Sequence, residues 1–225
     1  MIFKKPTLFE KDFAAISDLY PKLRYSRDEK HKSWVISGEL DICDATGLYW
    51  DTFQVLIIVR HPYPVHVPNI FERSTIIPRT EAWHISEYGE CCLDIPHNLK
   101  LAFKRGMRLA GFMHEKVYPY FANQLHRLSR QGYAGEEYDH RFEGVMQYYK
   151  EELNLPTPIL ATQFIKSILD KKIIDRNSAC LCGSGRKTKK CHLAVLHTLT
   201  ELGEKVLRHD LVNFEQWEVS LAGNN

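Results

Sequence analysis

The chain carries almost no surplus charge: 30 lysines and arginines face 28 aspartates and glutamates in 225 residues, a net of +2. No global attraction to nucleic acid or to an anionic membrane follows, so any such attraction must come from a local cluster. No apolar run approaches the ~20 residues of a membrane span. The opening Met1-Ile2-Phe3-Lys4-Lys5-Pro6 has no apolar stretch of the kind a secretory leader needs. These absences lead us to expect a cytoplasmic protein with no membrane contact, and nucleic acid is not the expected partner. Internal repeats and low-complexity tracts are missing as well. So is a glycine-rich phosphate loop outside one short segment near residues 180–192. A chain without a nucleotide cradle is not expected to activate its own substrate. What is present is ordinary globular material, 44% hydrophobic and 26% charged, long enough for one domain with an appendage.

The six cysteines fall into different chemical settings. In a reducing compartment they are expected to be ligands or nucleophiles, so the fold should not depend on disulfides. Cys43 reads as a buried strand residue. Cys180, Cys182, Cys191 and His192 sit in one short run in which Gly183 and Gly185 let the backbone turn back. Four soft or borderline ligands are what tetrahedral zinc takes. A structural zinc of this kind contributes on the order of 10 kcal/mol to ordering its own small fold. The alternative is a set of reduced surface cysteines beside a flexible loop. Arg186, Lys187, Lys189 and Lys190 crowd the same loop, where their charge favours thiolates. They could touch nucleic acid, a ribosome or an acidic protein, or simply form a solvated face. The segment resembles the SEC-C zinc motif through Cys180, Cys182, Gly183-Ser184-Gly185, Lys189, Cys191 and His192, with that motif's spacing. The resemblance implies structural zinc and an accessory docking role.

Periodicity organises the remainder. Phe9, Phe13, Ile16, Tyr20 and Leu23 recur at helical spacing up to the neighbourhood of Pro21. Strands are predicted over 34–43, 51–60 and 67–72, with a turn at 44–47; Pro68 suits an edge or a strand start. Residues 78–96 show no clean period, and long irregular stretches in compact domains often carry function. A helix is predicted over about 100–128, with Pro119 kinking or dividing it. Further helices are predicted over 141–153, 160–172 and 193–207.

Cys92 lies in the irregular stretch, in Gly89-Glu90-Cys91-Cys92-Leu93-Asp94-Ile95, with His84 and His97 nearby in sequence. A working thiol needs access and a reason to ionise, and the positive end of the following helix could supply one. On these residues alone a reactive thiol and a buried structural cysteine are equally good readings. The wider order is a helix, then strands with Ser37-Gly38-Glu39-Leu40-Asp41 and Phe53-Gln54-Val55-Leu56-Ile57-Ile58-Val59. Pro62-Tyr63-Pro64, Val67-Pro68-Asn69-Ile70-Phe71 and the Cys-Leu-Asp block follow. Over residues 8–130 this resembles the ubiquitin-conjugating (UBC) fold.

That resemblance implies an α+β fold: an N-terminal helix, an antiparallel sheet and a following helix, joined here to C-terminal helices and a small zinc knuckle. The implied domains are 1–135 (UBC-like), 136–175 (helical extension) and 176–225 (SEC-C knuckle and last helix). It makes Cys92 the thioester-forming residue and puts Cys91 at a position usually apolar. Family members in eukaryotes carry a His-Pro-Asn tripeptide whose asparagine supports the oxyanion. Here Glu81-Ala82-Trp83-His84 stands in that region, and His84 is expected to take the asparagine's place as donor or acid–base group. Asp94, Tyr63, Pro64 and Pro68 read as structural, and Trp83 as core. The lack of the standard C-terminal helix pair, together with the SEC-C tail, points to the bacterial branch found in anti-phage (CBASS) systems. The implied activity is a ubiquitin-like-protein conjugating enzyme supplied by a separate activating enzyme or an activated donor. The implied target is a cGAS-like nucleotidyltransferase. Other readings are a non-catalytic UBC-fold and SEC-C zinc adaptor, a thiol peptidase pairing Cys92 with His84 or His97, and a nucleic-acid-binding zinc protein.

Overall fold

Thr7 starts the first helix. Its side chain accepts the Glu10 backbone N–H at 3.3 Å, and the Glu10 carboxylate accepts the Thr7 N–H at 2.6 Å, a reciprocal cap. The computed structural model describes residues 5–130, 132, 138–171 and 175–222, and the chain divides into two compact units, 1–137 and 138–225. Helix α1 (Leu8–Ile16) buries Phe9, Phe13 and Ile16, one face at helical spacing. It stops there rather than continuing to Leu23. Leu23 is instead the buried first residue of strand β1 (Leu23–Asp28), which the sequence pattern did not reveal. The reason is visible in its composition: β1 is an edge strand with four exposed residues out of six, so it carries almost no hydrophobic alternation.

Strands β2 (Ser33–Cys43), β3 (Tyr49–Arg60) and β4 (Asn69–Glu72) complete an antiparallel meander in the order β1-β2-β3-β4. Strict alternation sends Ile36, Leu40 and Ile42 of β2, and Phe53, Val55, Ile57 and Val59 of β3, to one face, each at most 2% exposed. Each such side chain contributes roughly 1.5–3 kcal/mol by leaving water. Cys43 is a strand residue, half-buried rather than buried.

The helix expected over 100–128, kinked or divided at Pro119, is several pieces. Helix α2 (Pro96–Lys104) starts at Pro96, which needs no N–H partner in a first turn, and ends before Gly106, whose φ of 104° suits a residue without Cβ. After it come α3 (Leu109–Phe112), a π-helical turn (Met113–Val117) and α4 (Tyr118–Arg130). The break therefore falls at 105–108, not at Pro119. The π turn immediately before Pro119 absorbs the i−4 bond that proline cannot make. Phe121 of α4 meets Phe53 of β3 at 4.6 Å, seating α4 on the sheet.

A polar hub ties three parts of this unit together. The Tyr63 hydroxyl donates to Asp12 Oδ2 at 2.6 Å and accepts the Leu109 backbone N–H at 2.8 Å. Arg108 Nε also donates to Asp12 Oδ2 at 2.6 Å, and its Nη2 pairs with Asp12 Oδ1. Burial, then the Asp12 carboxylate, raises the Tyr63 phenol well above its usual range. Tyr63 is thus structural, as its place between strands suggested.

In the second unit, α5 (Arg141–Glu151), α6 (Pro158–Leu169), α7 (Leu193–Leu202) and α8 (Glu204–Ala222) pack around Tyr148, Tyr149, Phe164, Leu199, Leu207 and Phe214. Gly203 separates α7 from α8 where one helix over 193–207 was expected. The buried Tyr149 hydroxyl donates to buried Asp210 at 2.8 Å, joining α5 to α8. Among the described residues no helix is long and apolar enough to cross a membrane.

A candidate thiol site and a candidate metal centre

The segment carrying Cys92 is held to the sheet by its backbone. Gly89 O accepts the Glu72 N–H at 2.8 Å, and the Cys91 N–H donates to Ile70 O at 2.9 Å, so the loop lies along β4. Gly89 is required at this point: its φ is 87°, and a Cβ would sit 2.4 Å from the Glu72 carbonyl oxygen. Arg79 clamps the same corner. Its Nη2 donates to Glu72 O at 2.8 Å and lies 2.6 Å from Oε2 of the fully buried Glu72 side chain.

Ile85 and Cys91 pair in an antiparallel bridge, so neighbouring side chains point to opposite sides. Cys91 faces the core at 8% exposure, and burial pushes its thiol up to about 12. Cys92 faces outward and is exposed. Its backbone N–H donates to the His84 carbonyl oxygen at 2.8 Å, and the Tyr120 hydroxyl donates to the same oxygen at 3.0 Å. His84 sits in the left-handed region (φ 49°, ψ 42°), closing a 3-10 turn (Glu81–Trp83). The structure thus brings the backbones of His84 and Cys92 side by side, with the His84 side chain half-buried.

The electrostatics run against the expectation of an ionised thiol. Protein packed around the sulfur raises the Cys92 thiol above its usual range, and the carboxylates of Glu90 and Glu81 add to this. Helix α2 begins four residues further on. Glu90 was legible as a neighbour in sequence, but its effect on Cys92 was not. It is held by Asn69, whose Nδ2 donates to Glu90 Oε1 at 2.6 Å.

Asp94 holds the following turn: its Oδ1 accepts the Ile95 N–H at 2.6 Å, and its Oδ2 lies 2.7 Å from Lys116 Nζ. Trp83 packs against the core, with Arg127 over its ring at 4.3 Å. His97, the other histidine considered for Cys92, is 5% exposed in the first turn of α2.

In the second unit, Cys180, Cys182, Cys191 and His192 bring their ligand atoms within 4.8 Å of one another. A short ladder shapes the clip: the Cys180 N–H donates to Arg186 O at 2.8 Å and the Thr188 N–H to Ser178 O at 2.9 Å. Gly183 and Gly185, both at positive φ, turn the chain between them. Cys182 Sγ lies 3.5 Å from Cys191 Sγ, and His192 Nδ1 lies 3.4 Å and 3.2 Å from the sulfurs of Cys180 and Cys191. Ligands about 2.0–2.3 Å from a tetrahedral ion stand about 3.5–3.8 Å apart, so the donor set fits a metal of that size. The Ser184 hydroxyl, first among the causes, lowers the Cys182 thiol to about 6, whereas burial raises that of Cys180. The basic side chains of the loop, expected to favour the thiolates, are not the leading cause.

His192 is 6% exposed, with Phe164 of α6 edge-on to its ring at 5.2 Å. Its Nε2 lies 3.2 Å from the carbonyl oxygen of Asn154, in the α5–α6 loop. With Nδ1 facing the sulfurs, Nε2 carries the proton and donates, the arrangement that orients a metal-binding imidazole. Asn154 had no signal in the sequence, because its carbonyl is available at any residue type.

No curated protein matches this chain. Among solved structures it is similar to the yeast vps23 UEV domain in complex with a vps27 PSDP peptide, at 18% identity and a TM-score of 0.35, over 58% of this chain and 82% of that one. Residues 176–194, which hold all four members of the sulfur–imidazole cluster, match the SEC-C motif.

Proposed function

We propose that this chain is a ubiquitin-conjugating-type acyl transferase that carries a ubiquitin-like modifier as a thioester on Cys92, with a structural zinc on Cys180, Cys182, Cys191 and His192. The observation that carries the reading is the contrast between two adjacent thiols, Cys91 buried in the core and Cys92 exposed on a backbone pinned to β4 and His84. The sequence resemblance assigns the same cysteine.

In the reaction, the Cys92 sulfur attacks the carbonyl carbon of the modifier's thioester on a separate activating enzyme. The C–S bond to that enzyme breaks, and the Cys92 proton passes to the departing sulfur. An acceptor amine then attacks the Cys92 thioester, forming an amide and returning the thiol. A thiol of raised pKa is a slow leaving group, so its thioester resists water until an acceptor is positioned. His84 is assigned the stabilisation of the oxyanion. A cGAS-like nucleotidyltransferase in an anti-phage system is the proposed acceptor.

A non-catalytic adaptor is the second reading, favoured by the packing around the sulfur and then the carboxylates of Glu90 and Glu81, which raise the Cys92 thiol. Co-expression of tagged chains with the genes that flank this one separates the two. The parent chain is expected to show an adduct removed by reducing agent. Cys92→Ser should retain it as a reductant-resistant oxyester, and Cys91→Ser should behave as the parent. The absence of any adduct, or an unchanged reducible one in Cys92→Ser, removes the transferase reading.

A further inference from the structure

We propose that the groove between α5, α6 and α8 is a docking site for an extended cationic peptide segment, and that the metal clip fixes one wall of that groove through Asn154. This inference does not rest on the role of Cys92. The groove encloses about 460 Å³, within the usual range of about 300–1,000 Å³ for binding pockets. Its floor is aromatic: Tyr149 and Phe214 meet at 5.1 Å, with Trp217 beside them. Tyr149 and Phe214 are themselves buried, and half-buried Trp217 and Met146 leave the apolar surface that takes an apolar side chain.

The rim gives the charge of the occupant. Asp139, Glu143 and Glu151 line the groove, all exposed, against one cation among the described lining residues, Lys150; Gln147 Nε2 also donates to the Glu151 carboxylate at 3.1 Å. Glu143 stands in the first turn of α5 and Glu151 at its end. Eight residues at 1.5 Å rise separate them by about 12 Å. No single small cation bridges that distance. An extended chain, at about 3.3 Å per residue, spans it in three or four residues. The fitting occupant is therefore a peptide with two basic residues three or four positions apart and an apolar residue between them.

The wall is residues 155–158, the loop that follows Asn154 directly and the first residue of α6. Asn154 has a φ of 52°, and its carbonyl oxygen accepts from His192 Nε2 at 3.2 Å. A metal on Nδ1 leaves the imidazole proton only on Nε2, which keeps this bond made. The same ring therefore joins the sulfur cluster, at 3.4 Å and 3.2 Å from Nδ1, to the residue that begins this wall. Metal loading and the shape of the groove are coupled by that one hydrogen bond.

The test uses the zinc-loaded full chain and two synthetic seven-residue peptides. One has two lysines four positions apart flanking a phenylalanine, and the other has glutamates in place of the lysines. Calorimetry should show the lysine peptide binding at least tenfold more tightly, with affinity falling as salt rises. The double change Glu143→Lys with Glu151→Lys, at exposed positions, should reverse the preference while the helical circular dichroism is unchanged. Equal binding of both peptides, no binding, or indifference to the double change overturns the docking site. A light-scattering result showing a dimer that the double change dissolves assigns the groove to a second copy and overturns it too. His192→Cys tests the coupling, since four thiolates still hold zinc but nothing donates to Asn154. We expect full zinc content with affinity for the lysine peptide lowered at least threefold. Unchanged affinity in a zinc-replete His192→Cys chain overturns the coupling.

Discussion

The backbone N–H of Cys92 donates to the carbonyl oxygen of His84 at 2.8 Å, so two residues eight apart in sequence form one rigid corner. The Tyr120 hydroxyl on the same oxygen fastens that corner to α4. Fixed on one side and open on the other, the Cys92 side chain is presented to whatever approaches.

Iodoacetamide should read this difference between neighbours directly. The folded chain is expected to be carbamidomethylated at Cys92 while Cys91 stays unmodified, because the Cys91 thiol is buried and pushed up to about 12. Peptide mass spectrometry distinguishes the two, and denaturant should make both reactive. Cys92 modification should be slow at neutral pH and should accelerate beyond the usual thiol range of about 8.5, since raised pKa means that the thiolate forms later.

Glu81→Gln with Glu90→Gln removes the two carboxylates that add to burial in raising the Cys92 thiol. An anion beside a thiol disfavours the thiolate, so its removal favours it. The midpoint of the alkylation–pH curve is expected to move down, with the rate at neutral pH rising severalfold and the circular dichroism spectrum unchanged. A midpoint that stays in place would leave burial as the sole cause of the shift.

Much of this was readable in advance, and the reasons are uneven. The alternation of β2 and β3 announces two buried strands because each crosses the core with one apolar face. The clip was legible because metal ligation demands residue types, not just shapes. Strand β1 was not, since an edge strand packs few side chains and leaves no period. The division of α2 from α3 escaped the pattern because the apolar positions of both continue the same rhythm, and only Gly106 marks the break. The acidic surroundings of Cys92 and the Asn154 carbonyl behind His192 arise from tertiary contact, on which neighbouring letters are silent.

Gly89→Ala tests the anchoring of the Cys92 loop. The new methyl would lie 2.4 Å from the Glu72 carbonyl oxygen, on a backbone at φ 87°. Backbone has to shift, and a loss of about 1–3 kcal/mol is expected, read by urea denaturation. Hydrogen exchange should quicken at Glu72, Cys91 and Cys92, whose N–H groups bond across this corner.

Cobalt offers an optical check of the metal centre. One equivalent of Co²⁺ added to the chelator-stripped chain should give thiolate charge-transfer bands and the visible bands of a tetrahedral site, and zinc should bleach them. His192→Ala removes both a ligand and the donor to Asn154, and should weaken metal binding at least tenfold. Less than about one equivalent of zinc in the purified chain would count against the site.

Tyr63→Phe should be the most informative change in the first unit. Loss of the hydroxyl leaves the Leu109 N–H without its acceptor and removes one of the donors to Asp12, for a cost of about 1–3 kcal/mol. The same substitution has a signature in pH. The folded chain holds the phenolic proton more tightly than the unfolded chain, so its stabilising effect is complete below the unfolded value near 10. That effect is lost as pH rises through the folded value. Stability of the parent should therefore fall with pH above about 10. Buried Tyr149 contributes a fall of its own, which the Tyr63→Phe chain retains. The difference between the two urea-denaturation curves, taken from pH 8 to about 11, isolates Tyr63: it should shrink as pH rises. A difference independent of pH would mean that the Tyr63 hydroxyl acts by packing alone, with no preference for its neutral form.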